Sequence, residues 1–219
     1  VANAIAGTAI IVGLGALIGV PVGVGAGIYL AEYGSGRLGF AIRFIADVLN
    51  GTPSIVVGIV AWTFLVKPAG QFSALAGSVA LAVLMIPMLA RTTEEMVRLV
   101  PPSLREAALA LGYPRCRPSL KVVARTALTG IVTGCLVGIA RIAGETAPLL
   151  FTALGNLNFS LSVTHPMQTL SLQIYVYATG PFDEWQRLAW ASALVLMGLV
   201  LVISLVARWV TRQRYGSVR

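Results

Sequence analysis

Histidine and cysteine are nearly missing from this chain. Its 219 residues include one His, His165, and two Cys, Cys116 and Cys135. A single His excludes a His-based metal or catalytic cluster. One Cys falls in a charged segment and the other in an apolar run, a pattern that suggests neither a disulfide framework nor a metal site. Charge is also scarce, at 11% of residues, against about 25% in an ordinary soluble domain. Acids are the scarcer sign, eight against sixteen Lys and Arg. The only lysines, Lys67 and Lys121, do not follow a glycine, and no GxxxxGK[ST] occurs. The chain therefore has no P-loop, and any ATP hydrolysis must be done elsewhere. The first positive charge is Arg37, whereas a signal peptide would begin with a basic region, so the natural N-terminus is expected upstream.

What remains is apolar. Hydrophobic residues make up 57% of the chain. They are gathered into several long runs, the mark of an all-α polytopic membrane protein. The net charge of +8 sits in the loops between runs rather than on one basic face, so a nucleic-acid partner is not expected.

The first run is about Asn3 to Leu30. Gly15, Gly19, Gly23 and Gly27 recur in it every four residues, which on a helix makes one smooth seam for a neighbouring helix. Residues Ala31 to Asn50 carry Glu32, Arg37, Arg43 and Asp47, with Phe40, Phe44, Val48 and Leu49 at helical spacing. They predict a short interfacial helix or a loop. Gly51 to Val66 is a second, short run and Phe72 to Ala90 a third. A fourth runs from Ala127 to about Leu154, and the last span from Leu188 to Val210. About five transmembrane helices follow, with a sixth expected upstream.

Orientation follows from the basic residues. The charged segment Arg91 to Arg125 holds seven of the sixteen, the tail after Ala207 holds four, and Asn156 to Trp185 holds none. Short basic loops stay in the cytoplasm, so the charged segment and the C-terminus are expected inside.

Within that segment stands Glu106-Ala107-Ala108-Leu109-Ala110-Leu111-Gly112. Small Ala residues offer a tight contact surface, and Gly112 permits a turn before Pro114. The stretch resembles the EAA motif of bacterial ABC importer permeases, which sits in a cytoplasmic helix-turn-helix. Further on, the family's Ile and Leu-Pro positions hold Val122, Ala124 and Arg125 instead.

Five more stretches extend the resemblance over nearly the whole chain: "AEYG" from Ala31, "GTPSIVVG" from Gly51, "RTTEEM" from Arg91, "GETAPLLFTA" from Gly144 and "SLQIYVYA" from Ser171. In this order they look like the phosphate-specific ABC importer permeases, and more like the A-type subunit than the C-type. Ser171 stands where that family commonly has Pro.

The resemblance implies a type I ABC importer permease fold and one permease domain over residues 1–219, with a coupling region at about 91–126. Glu106, Ala107, Ala108 and Gly112 would meet the ATPase. It also implies a multi-pass protein of the bacterial inner membrane. Its partners would be a homologous permease in a heterodimer, a cytoplasmic ATPase dimer and an extracytoplasmic phosphate-binding protein. No cofactor belongs to this chain, since ATP and Mg would bind the ATPase. The alternatives are a permease for sulfate, molybdate or phosphonate, an ATP-independent transporter, or an assembly or signalling subunit without a transport path.

Arg141 and Glu145 lie in the fourth run, four residues apart, a spacing that puts them on one face of a helix. Charges in a span cost at least about 2.5–3.5 kcal/mol each on insertion scales and normally have a partner or a function. Along a straight helix Arg141 is about 20 Å beyond Ala127. Two readings stand: a structural ion pair, or an Arg that attracts phosphate with its fork of donors. Arg91, at the end of the third run, is either an interfacial Arg or the inner exit of the anion path.

Overall fold

The glycine seam decides how the helices pack. A computed structural model describes residues 1–110 and 123–215, with the backbone alone at 105, 108, 109 and 210–215. Helix α1, Ala2–Tyr33, lies along α5, Ala74–Arg98. A Cβ placed on Gly23 would come 2.7 Å from the Leu89 Cβ, and one on Gly27 would come 2.6 Å from the Ala90 carbonyl. The two backbones meet where no side chain fits between them, as small residues allow in a membrane.

Helix α7, Ala124–Ala143, packs on an adjoining face of α5 through a second seam. Gly130, Gly134 and Gly138 face Met96, Thr92 and the Met85–Leu89 turn in that order, so the two helices run antiparallel. Ile11, Leu81, Met85, Leu89, Ile142 and Leu149 form the main core between α1, α5 and α7. A smaller cluster, with Val97, Val123, Ala127 and Ile131, closes the end near Arg98.

Helix α2, Arg37–Gly51, is the short helix expected of that stretch. It packs on α5, buries Ala46, sets Gly39 against Gly34, and leaves Phe40 and Phe44 exposed. After a bend come α3, Ser54–Ala61, a π turn at Trp62–Val66 and α4, Lys67–Ala69. Gly70 ends this unit with φ 69°, a left-handed cap suited to glycine. Helix α6, Pro102–Ala110, follows α5 after a three-residue turn.

Beyond α7 the chain does not continue as one span. It breaks at Gly144–Thr146 and resumes as α8, Ala147–Thr152. The apolar run from Ala127 to about Leu154 therefore holds two helices rather than one span. Apolarity persists across the break and hides it, while Gly144 and Pro148 mark it. Helix α9, Leu170–Ala178, leads into α10, Asp183–Tyr215, which packs on α9 and α7.

Among the described residues four helices, α1, α5, α7 and α10, are long and apolar enough to cross a membrane. The pair α2 with α3–α4, bent by 104°, supplies a fifth span or a re-entrant loop. The segment between α8 and α9 folds back over the bundle at its α8–α9 end. The Ala74 and Leu75 N–H groups donate to the His165 and Val163 carbonyls at 3.1 and 3.0 Å. Met167 is buried in the main core.

Candidate functional site: two polar clusters joined by one exposed helix face

The stretches singled out in the sequence converge at two places. The first surrounds the break after α7. Gly58 of α3 lies against Pro148, where an added Cβ would be 2.7 Å from the Pro148 Cα. Ser171 donates to the Glu145 carbonyl at 3.0 Å, so the residue that departs from the family's Pro anchors the break. Thr8 of α1 accepts the Leu170 N–H at 2.9 Å, and Thr169 caps α9 by accepting the Leu172 N–H. Non-helical backbone at membrane depth needs such partners.

Arg141 is in the last turn of α7, whereas Glu145 lies in the break, beyond the helix end. The two groups form an ion pair, but across the end of the helix rather than on one helical face. Ile142, not Arg141, continues the glycine seam into the core, and Arg141 points out of the chain with its side chain 54% exposed. Its Nε lies 3.9 Å from the Glu145 Oε1, too long for a hydrogen bond. Its Nη1 is 3.8 Å from the Met88 Sδ.

The second cluster lies at the other end of the bundle, around Glu94, which is buried at 2% exposure. Arg43 Nε and Arg98 Nη2 each reach the Glu94 Oε1 at 2.7 Å, and Arg91 Nη1 reaches its Oε2 at 3.1 Å. Arg43 also donates to the Gly34 and Leu30 carbonyls at 2.7 and 2.8 Å, which binds the C-terminal end of α1. "AEYG" and "RTTEEM" thus meet through one arginine. Arg91 turns its other edge to Asp47, with Nε–Oδ1 2.9 Å and Nη2–Oδ2 3.2 Å.

Met88 links the two clusters. It stands one turn before Arg91 on α5 and touches Arg141 of α7. Glu145, Arg141, Met88, Arg91 and Asp47 therefore follow one another along one side of the chain. Sequence reasoning missed Glu94, Asp47 and Met88 as site residues. The signal for Glu94 was available: Arg91, Glu94 and Arg98 stand at i, i+3 and i+7, on one helical face.

Glu106 and Ala107 are on α6 and exposed. The Ala108 side chain and Gly112 lie outside the described residues, as does most of the 91–126 coupling region after Ala110.

Compared with known proteins, residues 23–214 match the family described as binding-protein-dependent transport system inner membrane component. The chain belongs to this family. It is a multi-pass inner-membrane permease subunit of a transport system. It is 49% identical over 208 residues to the phosphate transport system permease protein PstA of Yersinia pestis, across 94% of this chain and 70% of that one. It is 40% identical to PstA 1 of Mycobacterium tuberculosis (strain ATCC 25618 / H37Rv), across 97% and 71%. A probable PstA of Methanocaldococcus jannaschii is 39% identical, across 94% and 74%. Two solved structures share the fold. The MetNI methionine ABC transporter in an inward-facing conformation has TM-score 0.71 at 21% identity, over 96% of this chain and 92% of that one. An amino acid ABC transporter with histidines has TM-score 0.65 at 18% identity, over 93% and 90%. The type I ABC importer permease fold expected from the sequence is thus the fold observed.

Proposed function

We propose that this chain forms one half of the path by which an ATP-driven importer moves inorganic phosphate across the inner membrane. The observation that carries the reading is the exposed side holding Arg141 and Arg91, bridged by Met88. Two guanidinium groups in an apolar bundle are costly unless they serve a partner or a solute. The relatives named phosphate permeases supply the solute. Phosphate oxygens match the arginine fork. The long Arg141–Glu145 distance of 3.9 Å leaves Arg141 available for weak, transient contact, as passage rather than storage requires.

This side is open in the single chain, and a homologous permease facing it would close the path into a heterodimer. Helix α6, with Glu106, Ala107, Ala108 and then Gly112, would seat on a cytoplasmic ATPase dimer. ATP and Mg would be bound there, and this chain would make and break no bonds. The basic segments favour a cytoplasmic side for α6 and the C-terminus, and a phosphate-binding protein would deliver solute at the α8–α9 end. The whole of 1–219 acts as one permease domain in this reading.

Energy would enter at α6 and pass to α5, whose last turns hold Arg91, Glu94 and Arg98. Glu94 carries the movement to Arg43, and so to α2 and the end of α1. The test is expression in cells that lack the chain. Restored phosphate uptake and co-purification of an ATPase are expected. Uptake without any bound ATPase would overturn the reading.

A further inference from the structure

Asp47 occupies the donors on Arg91 that a passing anion would need. Two parallel bonds, Nε–Oδ1 at 2.9 Å and Nη2–Oδ2 at 3.2 Å, form the same fork-to-fork contact that an arginine makes with two phosphate oxygens. Arg91 has one donor edge left, and Nη1 there holds Glu94 at 3.1 Å. The two carboxylates differ in kind. Glu94 is buried and holds Arg43, Arg91 and Arg98 together. Asp47 is 55% exposed, Arg91 is 35% exposed, and Asp47 has no other ion pair among the described residues. A small anion can reach this pair, and losing it leaves the Glu94 cluster in place.

We propose that Asp47 is a built-in counter-anion: it fills the Arg91 fork when no solute is present and is displaced by phosphate as the solute leaves the path. The inference rests on the reading of Arg91 as part of that path. Two consequences follow from the geometry. An occupied fork presents a carboxylate, not a cation, to anions approaching from either side, so passive phosphate flow is suppressed. Because Asp47 is on α2 and Arg91 on α5, phosphate that takes the fork also releases α2 from α5 at this edge. Arg43 and Glu94 keep the helices joined one turn away.

The test uses the complete complex in proteoliposomes, with labelled inorganic phosphate and no ATP. Asp47→Asn is expected to raise passive phosphate flux several-fold, while Asp47→Glu keeps it at the wild-type level. Adding Arg91→Gln to Asp47→Asn should abolish the increase, which a merely loosened structure would not do. An assembled Asp47→Asn complex with wild-type flux overturns the proposal, as does an increase that survives Arg91→Gln. Should Asp47→Asn fail to assemble, backbone hydrogen exchange of the wild-type complex decides. Exchange across α2 should quicken in phosphate relative to chloride at equal ionic strength, and no difference overturns the proposal. Failure of the underlying reading looks different: Arg91→Gln alone would then leave ATP-driven uptake unchanged.

Discussion

Arg43 donates to Glu94 at 2.7 Å across fifty-one positions of the chain, and this bond fastens α2 to α5 at the end from which α6 departs. Glu94 neutralises part of a cluster of three arginines. Glu94→Gln would leave Arg43, Arg91 and Arg98 facing one another without their shared anion. Breaking a buried pair by removing one partner costs about 3–5 kcal/mol. The purified complex is expected to unfold at a clearly lower temperature and to lose uptake. Unaltered thermal unfolding would mean that the cluster is not an internal clasp.

Alanine at the α1 seam tests the packing. Gly27→Ala places a Cβ 2.6 Å from the Ala90 carbonyl, whereas Gly25→Ala meets nothing within 4 Å. Overpacking of this kind costs about 1–3 kcal/mol, and alanine is by itself the better helix former by about 1 kcal/mol. Thermal unfolding should separate the two variants, with Gly27→Ala weaker and Gly25→Ala equal to the parent or better. Equal loss in both would contradict the seam.

Thr8 ties α1 to the start of α9 by a side-chain hydrogen bond. Thr8→Val keeps the shape and removes the acceptor of the Leu170 N–H. A buried donor left unsatisfied costs about 1–3 kcal/mol. Faster amide exchange is expected at Leu170 and Leu172, with α2 unchanged. Protection as strong as in the parent would show that the bond contributes nothing.

The role of Arg141 is separable from assembly. Loss of a charged hydrogen bond, at about 1.5–3 kcal/mol, corresponds to roughly a ten- to hundredfold effect. Arg141→Gln should lower phosphate uptake by that order in a complex that still assembles. Arg141→Lys should retain part of the uptake, keeping the charge but losing the fork. Full uptake by Arg141→Gln would reduce Arg141 and Glu145 to a structural pair.

Local pattern was enough for some of this. The four-residue glycine period announced that a helix would pack on this face of α1, because it needs only one helix to be visible; that the partner is α5 was not legible. The mixed character of 31–50 pointed to a short interfacial helix or a loop, and a short helix is what forms there. The break at Gly144–Thr146 was not legible from hydropathy, since both sides are equally apolar. Its support comes from Ser171 and from Gly58, which are remote in sequence. The Glu94 cluster was half visible: Arg91 and Arg98 share its face of α5, but Arg43 and Asp47 arrive from another helix. Arg141 and Glu145 do form an ion pair, at 3.9 Å; what the spacing could not show is that Glu145 lies beyond the helix end, since a four-residue spacing fixes a shared face only while the helix continues.

Uptake of labelled phosphate by the reconstituted complex, with ATP supplied on the ATPase side and sulfate as competitor, tests the central claim most directly. The account predicts uptake that requires ATP and that excess sulfate does not suppress. ATP-driven uptake that prefers sulfate, or phosphate uptake indifferent to ATP, would contradict it.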